Sequence, residues 1–137
     1  MEVRKLGQSS LEVSRLCFGT LTMGPLQRNF TPSYGAELLA EGFLKGINCL
    51  DTAEYYQNYD HIREGLRHKP DAVVITKCHA YDRAGALDSV DKALSGLGRK
   101  YLDCMMLHEQ ESRWTLKGHE EALNTFAELK DKGILRS

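Results

Sequence analysis

The chain has 137 residues, 42% of them hydrophobic and 27% charged, a balance that excludes a disordered tail, a collagen-like repeat and a charged linker. Eighteen basic against nineteen acidic side chains leave a formal net charge of −1, so no basic surface points to nucleic acid as a partner. No apolar run approaches the roughly 18 residues that a membrane span needs. Nothing of signal-peptide character follows MEVRKLGQSS, which makes the cytoplasm the expected location.

Val3 and Leu6, a polar turn at Gly7-Gln8-Ser9-Ser10, and then Leu11, Val13 and Leu16 alternate weakly. Residues 1–16 therefore read as an N-terminal β-hairpin. Leu16 to Thr20 is the first apolar run of the body, which extends from 16 to 137. Thr31-Pro32 opens a helix, because proline at the first helical position gives up no needed donor. Leu38, Leu39 and Phe43 lie on its inner side. It closes at Lys45-Gly46, where a cation suits the negative helix end and glycine accepts a left-handed turn.

Ile47 to Thr52 reads as a second strand and Asp60 to Leu66 as a short helix. After Pro70, the β-branched run Ala72 to Lys77 makes a third strand. Val90, Ala93, Leu94 and Leu97 recur at i, i+3, i+4, i+7, the period of a buried helix face. Leu102 to Leu107 is a fourth strand. A last helix carries Ala122, Leu123, Phe126 and Leu129 and ends at Lys132-Gly133. Cys17, Cys49, Cys78 and Cys104 each sit in an apolar segment with no CxxC pair, so all four are expected to be small buried hydrophobes.

Near-continuous apolar strands alternating with helices imply a parallel sheet buried on both faces. An open sheet gripping a dinucleotide would show GxGxxG after its first strand. None is present, and a β/α barrel is preferred. A closed barrel needs about 250 residues. The junction Lys45-Gly46-Ile47 returns as Lys132-Gly133-Ile134, so Ile134 to Ser137 reads as the opening of a fifth strand that is cut short. The expected fold is α/β: the N-terminal half of a (β/α)8 TIM barrel, with a hairpin, four βα units and the start of strand five.

Strand side chains alternate faces. Inward ladders Ile47-Cys49-Asp51, Val73-Ile75-Lys77 and Cys104-Met106-His108 each end in one polar residue at the C-terminal end of a strand, where β/α barrels build their active sites. One such residue most often only caps its strand; three in succession point to a site. Tyr56 lies in the loop after Asp51, between Tyr55 and Tyr59. A phenol titrates near pH 10 unless a cation stabilises the phenolate. Lys77 is placed to do so, with Asp51 holding the ammonium charged. Neither HExxH nor another tight ligand spacing occurs, so no metal is expected.

"RKLGQSSLEVSRLCFGT" resembles the opening hairpin and first strand of the aldo-keto reductases. "GINCLDTAEYY" resembles their second strand, "VVITK" the strand bearing the catalytic lysine, and "YLDCMMLHE" the strand bearing the histidine. The resemblance covers nearly the whole chain, with residues 16–137 as the first four βα units of such a barrel. It implies reduction of aldehyde or ketone carbonyls with NADPH as hydride donor. Tyr56 would be the general acid, Lys77 would depress its pKa, Asp51 would bind the lysine, and His108 would orient the carbonyl of a small-molecule substrate. Gly19 and Thr20, with Asp51, would lie against the nicotinamide ribose.

Gln110 and Trp114 follow His108 in a loop over the mouth and are candidates for lining a substrate pocket, although a loop tryptophan equally often covers a helix. His61, His68 and His119 are expected at the solvated surface, and His79 within reach of the mouth. Because the family grips its cofactor largely from strands five to eight, the 137 residues alone are expected to bind NADPH poorly and to turn over slowly or not at all. Two other readings stay open. Lys77 could form a Schiff base in an aldolase-like barrel. Alternatively the chain could be a non-catalytic assembly unit, forming a homodimer through apolar sheet edges at its first and fourth strands.

Overall fold

The structure is a computed structural model describing residues 1–137. Strands β1 (Val3–Lys5) and β2 (Glu12–Ser14) pair antiparallel as the hairpin. A four-stranded parallel sheet follows in the order β3 (Phe18–Gly19), β4 (Cys49–Asp51), β5 (Val73–Cys78) and β6 (Cys104–Leu107). Helices α1 (Pro32–Leu44), α2 (Tyr59–Gly65) and α3 (Arg83–Leu97) connect successive strands. Helices α4 (Arg113–Gly118) and α5 (Glu120–Asp131) follow β6.

The helix boundaries come from local chemistry. The Thr31 side chain accepts the Tyr34 N–H at 3.3 Å ahead of Pro32, and the Asp82 side chain accepts the Gly85 N–H at 2.7 Å, each satisfying a donor that the first helical turn leaves free. Gly46 (φ 88°) and Gly133 (φ 74°) take the left-handed conformation after α1 and α5. The repeated Lys-Gly junction is thus one structural device used twice. Helix α4 was not expected from the sequence. It starts at a capping box in which the Ser112 hydroxyl accepts the Trp114 and Thr115 N–H groups while Thr115 Oγ1 accepts the Ser112 N–H.

Strand parity divides the interior. Leu50, Val74, Cys78 and Met105 face the helices, in a core with Leu39, Ile62, Val90, Leu97, Phe126 and Leu129. Cys49 and Val73, with the flanking Ile75, face the other way and pack on Leu6, Leu11 and Val13 of the hairpin, which closes the N-terminal end of the sheet. Asn48 ties hairpin to sheet. It accepts the Ser14 N–H at 2.6 Å, donates its own N–H to Ser14 Oγ at 3.0 Å, and gives its amide to the Glu12 carbonyl at 3.0 Å.

Ile134 to Ser137 does begin a fifth strand. Leu102 and Leu135 form a parallel bridge, with Leu102 N–H to Ile134 O at 2.9 Å and Met105 N–H to Ser137 O at 3.2 Å. The expectation of a bare apolar edge at the fourth strand is therefore corrected, because this segment covers the lower part of β6.

Three further expectations are corrected. Cys17 is exposed, whereas Cys49, Cys78 and Cys104 are buried. His61 and His119 are buried at 6% exposure rather than solvated. Their ring nitrogens bond the Phe30 carbonyl at 2.7 Å and the Ala80 carbonyl at 2.6 Å, so they tie loops to helices.

Candidate active site

The parallel register staggers the three polar strand ends. Asp51 is level with Ile75, Lys77 with Met106, and His108 lies one residue beyond the end of β6. Each group stands about two residues higher than its neighbour, or roughly 6–7 Å. Only a long side chain spans that step. Lys77 leans back across it, donating to Asp51 Oδ1 at 2.8 Å, Asp51 Oδ2 at 2.7 Å and the Thr52 carbonyl at 2.7 Å. Three acceptors thus engage the ammonium.

Tyr56 closes a 3-10 turn over Glu54–Tyr56, released by Gln57 in the left-handed conformation at φ 52°. Its ring lies with the centroid 5.3 Å from Lys77 Nζ and 5.7 Å from the His108 ring, edge to face. The two flanking tyrosines are elsewhere. Tyr55 is exposed. Tyr59 hydrogen-bonds Thr76 at 2.7 Å on the helix side, where burial pushes its phenol up to about 12. The backbone under Tyr56 is held by close approach: a Cβ on Gly24 would lie 2.5 Å from the Tyr56 carbonyl oxygen.

His108 is 8% exposed, and its backbone N–H donates to the Cys78 carbonyl at 2.8 Å. Its ring stacks on His79 at 4.7 Å, and Nδ1 is buried without a partner. Burial, then the neighbouring His79 and Lys77, hold its pKa below the usual imidazole value, so the ring is neutral at pH 7.

Asn58, which sequence reasoning missed, sits under this group with no exposed surface. It accepts the Thr52 hydroxyl at 2.7 Å and donates to the Thr20 carbonyl at 2.8 Å. Its position six residues after Thr52 was the only available signal, and an asparagine in such a segment is ordinarily a turn residue.

Gly19 is exposed, and nothing lies within 4 Å of where its Cβ would be. Thr20 is buried, with its hydroxyl on the Asp51 carbonyl at 2.8 Å, so it fixes the Gly19–Asp51 edge rather than presenting a side chain. Gln110 donates to the His108 carbonyl at 3.0 Å and borders a cavity of about 650 Å³ beside Met105, Met106, Leu116 and Phe126. Trp114 is 67% exposed on α4 under the Arg113 guanidinium and does not line that cavity. The structure therefore brings Asp51, Tyr56, Lys77 and His108 together, with Gly19 alongside and Gln110 at the margin, and leaves Trp114 outside.

The C-terminal end of a parallel β/α sheet thus carries an ion-paired lysine, a tyrosine and a neutral histidine, the end at which β/α barrels build their sites. The Aldo/keto reductase family matches residues 15–137, and the chain belongs to that family. It is 28% identical over 152 aligned positions to the uncharacterized oxidoreductase YqkF of Bacillus subtilis, and 27% over 149 to L-galactose dehydrogenase of Arabidopsis thaliana. Each alignment covers 99% of this chain and 47% of the relative. Among solved structures, the holo form of aldo-keto reductase AKR11C1 from Bacillus halodurans superposes with a TM-score of 0.85 at 27% identity, covering 99% of this chain and 48% of that one. The PA4992 protein of Pseudomonas aeruginosa gives 0.87 at 25% identity, covering 98% and 58%. The chain spans about half the length of the curated relatives that it matches.

Proposed function

We propose that Asp51, Tyr56, Lys77 and His108 are the catalytic group of an NADPH-dependent reductase of aldehydes and ketones. The observation that carries this reading is the bidentate Asp51–Lys77 pair set beneath the Tyr56 ring. The pair sets a cation 5.3 Å from the centre of the Tyr56 ring, and Tyr56 Oη is the group that releases a proton in this reading. The released proton goes to the substrate carbonyl oxygen. A neutral His108 donates one N–H to the same oxygen, fixing its position and spreading the charge that develops there.

The residues present fit a nicotinamide cofactor. Gly19 offers an open, side-chain-free edge, and Asp51 keeps 39% of its side chain exposed beside that edge, while Thr20 and Asn58 hold both from below. When bound, NADPH supplies hydride to the carbonyl carbon. Gln110 is proposed to border the substrate. Trp114, exposed on α4, is left out of that role.

The Schiff-base alternative requires a neutral, free amine on Lys77. An ammonium bound by three acceptors at 13% side-chain exposure argues for the charged, structural role instead.

The test has two stages. NADPH is titrated into the 137-residue chain while nicotinamide fluorescence is followed, with weak binding and little aldehyde reduction expected. The chain is then fused to the C-terminal half of YqkF and assayed with aldehydes. Reduction should appear and fall by about 10²-fold or more in Tyr56→Phe, the usual contribution of a positioned general acid. A folded fusion that binds NADPH and keeps full activity without the Tyr56 hydroxyl would defeat the proposal.

A further inference from the structure

The concave floor below the tetrad holds a pair of thiols that the reductase chemistry does not use. Phe18 pairs with Leu50 and Gly19 with Asp51, so Cys17 stands opposite Cys49 one residue earlier. Paired parallel strands run about 4.8 Å apart, within the roughly 4.4–6.8 Å Cα spacing that a disulfide bridges. The sulfurs already touch at 3.2 Å. Cys17 is an exposed residue and Cys49 a buried one, the arrangement of an attacking cysteine with a resolving partner behind it.

We propose that Cys17 and Cys49 are a modification site at which a hydroperoxide converts the two thiols to an intramolecular disulfide. Cys17, as thiolate, attacks the terminal oxygen of the peroxide. The O–O bond breaks, the hydroxide or alkoxide leaves with a proton, and Cys17 becomes a sulfenic acid. The Cys49 sulfur then attacks Sγ of Cys17, the S–O bond breaks, and water departs with the Cys49 proton. Two thiols lose two electrons in total, and the peroxide is reduced to water and an alcohol, or to two waters.

The order of attack follows from the environment. The Sγ–Sγ contact with Cys49, with help from the Lys77 charge, holds the Cys17 thiol below its ordinary value. The same contact and burial push Cys49 up. The thiolate is the reactive form, so the exposed sulfur is both the accessible and the activated one. Cys78 and Cys104 are buried and pushed up by desolvation, which leaves them inert. The product ties β3 to β4 two residues below Gly19 and Asp51. The inference does not depend on the reductase reading, because neither sulfur belongs to the tetrad.

The test exposes the 137-residue chain to excess hydrogen peroxide, quenches with catalase, alkylates under denaturing conditions and maps the peptides. Free thiols are expected to fall from four to two, with a Cys17–Cys49 linked peptide that dithiothreitol releases. Cys17→Ala should keep its three thiols under the same exposure. Cys49→Ser should stop at a Cys17 sulfenic acid that dimedone captures. Retention of four thiols in the wild type, a Cys17–Cys17 link between chains, or a bridge to Cys104 would each overturn the proposal.

Discussion

Lys77 and His108 shape the site through opposite solutions to burial. Lys77 sits in a largely enclosed place where Asp51 and the Thr52 carbonyl replace its water shell. His108 has no such partner, and burial beside the His79 ring and the Lys77 ammonium works against its charged form, outweighing the opposing pull of Glu109 and Asp51. That imbalance has a consequence for stability. Below the ordinary imidazole pKa of about 6.5 the unfolded chain takes up a proton that folded His108 resists, so the unfolded state binds more protons and stability rises with pH through that window. The contribution is complete above about pH 6.5 and is lost as pH falls toward the lowered folded value. Urea midpoints measured between about pH 7.5 and pH 5 should drop more steeply in the wild type than in His108→Gln. The other four histidines are the same in both proteins, so the difference between the curves reports on His108, and parallel curves would sink the assignment.

Elements are pinned to one another by polar side chains whose importance is invisible one residue at a time. Asp103, 2% exposed, bonds the guanidinium of Arg99, accepts from Arg136 at 2.9 Å, and takes the Val74 N–H at 3.0 Å. Arg99 in turn donates to the carbonyls of Pro70 and Ala72 at 2.8 and 2.7 Å. One carboxylate thereby fixes the start of β6 to the start of β5, the end of α3 and the segment after α5. In the sequence Asp103 is merely an acidic residue inside the apolar run Leu102 to Leu107. Two of its partners lie 29 and 33 residues away and the third four residues back, outside any helix, and no local pattern announces them. Asn58 escaped notice for the same reason. Helix ends and strand cores were legible because capping, glycine turns and β-branched runs are local effects, whereas α4 rests on a Ser112–Thr115 capping box with no apolar periodicity behind it. Removing a buried carboxylate strands the charge it neutralised, which typically costs about 3–5 kcal/mol. Asp103→Ala should lose stability of that order by denaturant titration at neutral pH, and a loss under about 1 kcal/mol would show that the network is ornamental.

At the scale of the molecule, one sheet serves two interiors. The helix-facing side carries the main core, and the opposite side carries the hairpin seal, the thiol pair and the tetrad. This division explains which features of the site could be read from the sequence. Period-two alternation fixed which face Asp51 and Lys77 share, and the motif order placed Tyr56 and His108. Trp114 lies beyond the last strand, where no strand parity sets its direction. Leu135 belongs to the helix-facing core at 2% exposure, alongside Leu102, Met105 and Phe126. Lys77 belongs to the other side, and its partner Asp51 still reaches water with 39% of its side chain exposed. The two faces should therefore answer to mutation differently. Leu135→Ala removes buried methyl groups and leaves a cavity, a loss of about 2–5 kcal/mol. Lys77→Met leaves Asp51 free to rehydrate and keeps most of the apolar stem, so its cost should stay near the 0–1 kcal/mol of a solvent-screened pair, even though the proposed proton transfer depends on it. Denaturant midpoints of the two variants, measured side by side, decide the matter. If Lys77→Met proves as destabilising as Leu135→Ala, the Asp51–Lys77 pair is part of what holds the sheet together.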